Sequence, residues 1–277
     1  PVLMEAIHSS YYLYAGELTN RIGLVRLHNA EFEYYHHLAM YEKNVFKKYY
    51  YNHESRLLKK YEKKLAGKVK IAALSVQDVY QHLFKANNII HLPLFLPYLN
   101  ATGKEGIGCF CLYHGNLSIN ENEEAAIWLL QNVFNDIKIP FVITGKNPSQ
   151  KLEFLAHQQP HTCLVANPSD KELHDMIAKA QINILPSFNN TGIKLKLLNA
   201  LYNGRHCLVN KAGVEGSGLN RLCAIAEDAD DFKTAIQYLY AIPYTNEENQ
   251  KRQLLLQQLY NNQKNADKLI EIFWSEK

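Results

Sequence analysis

Along the chain, short apolar runs alternate with longer stretches in which apolar residues recur at helical spacing. The runs Val2 to Ile7, Ile22 to Leu27, Val69 to Leu74, Cys109 to Tyr113, Phe141 to Thr144, Thr162 to Val165, Ile182 to Leu185 and Cys207 to Val209 each end in turn chemistry. Runs of this length between helix-length segments predict the parallel strands of an α/β protein, not a sandwich or a bundle. Glu123 to Asn135 reads as one of the helices, opened by an Asn120-x-x-Glu123 pairing of capping-box form. The segment from Glu247 to Trp274 reads as a final helix with Leu255, Leu259, Ala266, Leu269, Ile270 and Phe273 on one face. Two prolines and then Gly103, Gly106 and Gly108 interrupt the pattern between Leu92 and Gly108, which places a domain boundary there.

Glu31 to Lys68 has a different texture, aromatic and basic, with YYHHL, KKYYYNH and KKYEKKL in succession. Aromatics interleaved with lysines stack bases and bind phosphates in nucleic-acid proteins. Here Glu31, Glu33, Glu42, Glu54 and Glu62 interrupt the basic run, so the segment reads as an amphipathic helix or helix pair with solvated charges. The whole chain, with 30 basic and 27 acidic residues among 277, supports no nucleic-acid partner and at most a peripheral contact with a membrane. With 47% hydrophobic residues it can bury two modest cores, and no apolar stretch is long enough to span a bilayer. Five scattered cysteines suit reduced thiols and a cytoplasmic location. Cys109-x-Cys111 with His114 matches no zinc spacing and reads as structural thiols; no metal site is expected.

The chemistry concentrates in three turns. In the stretch from Pro186 to Gly204 an apolar strand ends in a polar turn containing Gly192, and a helix follows with Lys194 and Lys196 at its start. Free backbone N–H groups, a helix N-terminus and two ammonium groups around one point suit a phosphate or diphosphate; the alternative is an ordinary strand-to-helix turn with surface lysines. Gly115 and Asn116 form a second such turn, Gly145 and Lys146 a third. In an open parallel sheet the loops at the carboxyl ends of strands face one crevice, so the three turns are expected to share a ligand.

VITGKNP, NILPSFNNTGIKLKLLNALYNGRHCLVN and AGVEGSGL resemble, in order and spacing, the donor domain of retaining glycosyltransferases of the GT-B class (group 1, family 4-like). HGNLSINENEEAAIWLL resembles the first strand, turn and helix of that domain. RIGLVRLHNAEFEYYHHLA and KVKIAALSVQD resemble its acceptor-side domain. The resemblance implies two Rossmann-like domains: residues 1–98 a partial first domain truncated at its start, 99–246 a nucleotide-sugar domain, and 247–277 a helix crossing back. It implies transfer of a sugar from a nucleotide-diphosphate-sugar donor to a glycan or lipid-linked acceptor, without metal or further cofactor. Lys194, Lys196, Gly192, Thr191, Gly115 and Asn116 would hold the diphosphate, and Gly145, Lys146 and Asn199 the nucleotide. His8, His28, Glu215 and Gly216 would border the cleft, with strand-end capping the other reading of the two histidines. The family's usual pair of glutamates falls on Thr191 and Asn199, and the basic residue many relatives carry in the first turn has no match between Gly115 and Asn122. A non-catalytic nucleotide-sugar-binding or scaffolding relative is therefore the alternative.

Overall fold

The computed structural model describes residues 1–18, 20–42, 44–75, 89–189 and 191–274. The predicted alternation is present and builds two parallel sheets. The first runs β1 (Val2–Glu5), β2 (Gly23–Leu27), β3 (Lys70–Ala73), β4 (Ile89–His91) in that spatial order. The second contains β5 (Cys111–Asn116), β6 (Phe141–Lys146), β7 (Thr162–Ala166), β8 (Ile182–Ile184), β9 (His206–Val209) and β10 (Ala224–Ile225), ordered β10-β9-β8-β5-β6-β7. Every residue of β8 and β9 is buried, Asn183 and His206 included, as in parallel strands covered on both faces, and both read as mostly apolar runs. Strands β4 and β10 are too short to display a period and were not expected from the pattern.

Two helices follow β2, α2 (Glu31–Tyr41) and α3 (Val45–Ala66), after a short α1 (Tyr11–Ala15); they are the expected helix pair. One of its charges is not solvated. Glu62 is buried and its Oε1 accepts the Phe32 N–H at 3.3 Å, so this carboxylate ties α3 to the start of α2. In the second sheet's layers lie α4 (Asn120–Trp128), extended by one π turn over Leu129–Val133, then α5 (Gln150–His157), α6 (Asp170–Lys179), α7 (Leu195–Asn203), α8 (Lys211–Val214) and α9 (Ala229–Ala241). The capping box expected at Asn120 is absent. Asn120 is already the first helical residue and bonds Glu124 along the helix, while Glu123 accepts the Ser149 N–H at 3.2 Å. Capping boxes occur instead at Ser169 with Glu172 and at Thr245 with Glu248.

The expected final helix is two helices, α10 (Asn246–Leu259) and α11 (Asn262–Trp274). The break has a local cause: Tyr260 leaves the helical region, its hydroxyl donates to the Ser217 carbonyl at 2.8 Å, and Asn261 Oδ1 accepts the Lys264 N–H at 3.0 Å to start the next helix. The predicted apolar face shifts accordingly. Leu256 and Tyr260 join the core of the second sheet, and Ile270 is exposed. Helix α11 crosses to the first sheet, where Phe273, with Leu269 and Ile272 beside it, packs on Leu24, Ala72 and Leu92. Burying a Phe of this kind contributes about 1.5–3 kcal/mol, a large share of so small a cluster. Asn262 clamps the connector between the sheets from both sides, its Oδ1 accepting the Leu96 N–H at 2.9 Å and its Nδ2 donating to the Leu96 carbonyl at 2.7 Å. Among the described residues no helix is long and apolar enough to cross a membrane.

Candidate functional site

The order of the second sheet locates the crevice. From β5 the chain builds outward to β6 and β7, then returns to lay β8 against the other side of β5. Such a reversal leaves the carboxyl ends of the two central strands with loops that diverge, and a ligand site opens between them. At those ends stand the turns after β5 and β6 and the long turn from β8 to α7. Gly115 and Gly145 lie opposite each other in the ladder, and a methyl group on Gly145 would collide with the Gly115 carbonyl oxygen. Only a glycine lets the two strand ends close up here, which leaves room above them.

A cavity of about 370 Å³ lies at these glycines, and another of about 390 Å³ lies beside the start of α4, toward α2 and α3. The first cavity brings together Gly115, Asn116, Gly145, Lys146, Lys196 and Asn199, with His114, Tyr98 and Asp170 completing its wall. These are six of the positions expected from sequence. Asn116 caps the turn, its Oδ1 accepting the Ser118 N–H at 3.2 Å and hydroxyl at 2.7 Å. Asn199 Oδ1 accepts from Asn203 Nδ2 at 2.7 Å, so the side-chain oxygen is held toward its own helix.

The lysines are not the free surface groups that the turn alone suggests. Lys194 is the residue preceding α7, half-buried, with Nζ donating to the Thr191 carbonyl at 2.7 Å. Lys196 lies in the first turn of α7 and reaches inward, donating to Asn122 Oδ1 at 3.0 Å and standing 5.0 Å from the centre of the Tyr113 ring. Leu195 between them is exposed and lines the cavity. Burial pushes the Lys196 ammonium down to about 8; Glu121 opposes that shift and Lys194 adds to it. Burial lowers Lys194 as well, again opposed by Glu121. Lys196 Nζ also donates to the Tyr113 hydroxyl at 3.4 Å; a partly desolvated ammonium whose two acceptors are neutral is short of anions, and a phosphate supplies what it lacks.

Two residues of this site were missed in the sequence. His114, on β5, is buried, and burial together with Lys196 lowers it to about 3, so it is a neutral imidazole. Its Nε2 has no hydrogen-bond partner among the described residues. Glu121, the second residue of α4, accepts from the Ser187 hydroxyl at 3.2 Å and from Asn189 Nδ2 at 3.4 Å. Neither left a signal, because each acquires its role from strands and loops remote in sequence.

Thr191 is buried, and its hydroxyl and N–H both bond Asn189 Oδ1, at 2.8 and 2.7 Å, so it shapes the turn from within. Gly192 has φ of +66° and its open face meets the Asn29 side chain of the first lobe, which a Cβ would strike. This contact brings the turn against the end of β2, where His28 binds Glu5 Oε2 at 2.8 Å and Glu5 also pairs with Arg26 at 3.5 Å. His8 is exposed nearby; both histidines act on Glu31, whose carboxyl burial raises and they lower. Glu215 and Gly216 follow α8 and line neither cavity; Gly216 has φ of +69° in a turn closed by the Ser217 N–H on the Val214 carbonyl.

The other cavity lies across Glu121, between α2 and α3 of the first lobe and the turns after β5 and β8. Tyr34, Tyr51 and Phe188 supply rings and Glu42, Glu121 and Glu124 carboxylates.

Two parallel sheets facing across such a cleft, with the last helix returning to the first, form the GT-B fold. TarM superposes with a TM-score of 0.71 at 13% identity, over 98% of this chain and 54% of that one. Sucrose-phosphate synthase from Thermosynechococcus elongatus gives 0.71 at 13% identity, over 99% and 72%. A UDP-forming alpha,alpha-trehalose-phosphate synthase from Burkholderia xenovorans gives 0.68 at 10%, over 98% and 72%. At these identities the likeness establishes the fold. No protein-family model matches. Among curated proteins, an uncharacterized 44.6 kDa protein in the cps region of Klebsiella pneumoniae is 30% identical over 232 residues, 79% of this chain and 59% of that protein. The chain thus spans less than two thirds of the length of this curated relative.

Proposed function

We propose that the protein is a glycosyltransferase that binds a nucleotide-diphosphate sugar in the cavity beside β5 and β6 and transfers the sugar, with retention and without a metal, to an acceptor hydroxyl. The observation that carries the reading is Lys196, a half-buried cation whose two hydrogen-bond acceptors are both neutral, at the start of a helix beside the glycine turns. The trehalose-phosphate synthase that shares the fold is UDP-forming. In the reaction the bond from the anomeric carbon to the diphosphate oxygen breaks with its electron pair on the leaving diphosphate. The acceptor oxygen bonds the anomeric carbon, and its proton passes to the diphosphate or to water. Lys194, Lys196 and the free N–H groups of α7 stabilise the leaving charge in a preorganised, partly dry site. His114, neutral, offers a hydrogen bond but no charge.

Titration of the chain with UDP in the presence of EDTA tests this, with slow hydrolysis of a UDP-sugar as the activity readout. Binding that survives the chelator is expected; binding that appears only with Mg²⁺ or Mn²⁺ overturns metal independence, and none with any nucleoside diphosphate overturns the site. A second reading, a relative that binds donor without chemistry, is favoured by Thr191 and Asn199, whose side-chain oxygens are engaged within their own segments. Diphosphate binding with no hydrolysis and no transfer to any acceptor is its signature.

A further inference from the structure

We propose that the groove across Glu121 receives the acceptor as a saccharide carrying no acidic group, and that its carboxylates exclude sugar phosphates and uronic acids. This rests on the donor site proposed above, since Glu121 is shared: it lines the groove and also acts on Lys194 and Lys196. An acceptor lying there therefore ends next to the donor diphosphate, where its hydroxyl is needed.

Three observations select the class of ligand. The volume, about 390 Å³, falls in the range of small-molecule sites, roughly 300–1,000 Å³. The rings are held in place: Tyr51 packs edge-on to Tyr35 at 6.1 Å, and Phe188 edge-on to Trp128 at 6.0 Å. Fixed aromatic faces suit the C–H faces of a pyranose. The groove's charged lining is carboxylate: Glu42, Glu121 and Glu124 accept, and the hydroxyls of an uncharged sugar donate to them. No Lys or Arg is among the described lining residues. The Tyr34 phenol, raised by burial and by Glu31 and Glu121, stays protonated, and together with the Tyr51 hydroxyl and the His37 ring it supplies the donors. A phosphate or carboxylate placed here would lose water and meet three carboxylates in one groove.

Saturation-transfer NMR on the full chain, with UDP present, compares chitobiose with a disaccharide of N-acetylglucosamine and glucuronic acid. Chitobiose should bind at least tenfold more tightly. Glu124→Lys, at an exposed position, and Glu42→Lys should each narrow that ratio severalfold, and the double variant should invert it, with melting temperatures reporting the integrity of the fold. Equal or tighter binding of the uronic acid by the parent chain, or a ratio unmoved by the double variant, overturns the proposal. Failure of both saccharides to bind while UDP does overturns the groove and leaves the donor site standing; failure of UDP itself is the separate failure of the donor site.

Discussion

The cavity beside β5 and β6 is walled by glycine backbone, amides, the ammonium groups of Lys146 and Lys196 and one carboxylate, Asp170, whereas the groove toward α2 and α3 is walled by rings, His37 and three carboxylates. Glu121 lines the groove and acts on Lys194 and Lys196. Both sides include a helix start, α7 on the first and α4 on the second, so the difference between them lies in their side-chain charges and not in the main chain. On the proposed reading a phosphate-bearing ligand takes the first and a polyol the second. The partition depends on a few charges, so it can be broken one charge at a time.

The largest effect should come from Lys196→Met. Loss of a charge-assisted contact to phosphate, about 1.5–3 kcal/mol, should weaken UDP binding roughly tenfold to a hundredfold in calorimetric titration. The unliganded melting temperature should hold or rise, because the native ammonium is already disfavoured by burial. A variant that binds UDP within about twofold of the parent would remove the cationic side of the comparison.

Next in size is a pH effect with two opposite signs. Lys196 titrates at about 8 in the fold, below the ~10.4 of an unfolded lysine. Between these values the unfolded chain binds more protons, so the stability of the unliganded protein should increase from pH ~8 to ~10.4 on account of this group. Affinity for UDP should fall about tenfold over a similar span, because the phosphate needs the ammonium. Repeating both measurements on Lys196→Met should flatten both curves; if they persist, another group is titrating, with Lys194 the first candidate.

The smallest effect expected is from Glu121→Gln. Removing the anion that competes with phosphate for both lysines should tighten UDP severalfold while weakening chitobiose, a reciprocal change that equilibrium titration with each ligand would detect. Tightening of both ligands, or of neither, would mean that Glu121 does not divide the two sites.

Much of this was legible in the chain. Eight of the strands announced themselves as apolar runs, because burial in a parallel sheet leaves few polar residues in them, such as Asn183 in β8, to interrupt the signal. The glycine turns at Gly145 and Gly192 were legible because their geometry demands glycine. The break at Tyr260 was hidden: it depends on a hydroxyl reaching the Ser217 carbonyl, and helical period runs straight through it. The Asn120-x-x-Glu123 pattern misled for the converse reason, since the helix had already begun and both side chains found partners elsewhere.

Sequence by itself determined the parallel α/β architecture, the glycine turns at one end of the second sheet, and the residue types that can face a phosphate, because periodicity, glycine and charge are local properties. Tertiary structure alone decided that Lys196 points inward onto Tyr113 and Asn122, that His114 is neutral, and that Glu121 lines one cavity while acting on Lys196 of the other. Those are matters of desolvation and of distances between segments far apart in the chain, and no local pattern encodes how much water a side chain keeps once the strands around it have paired.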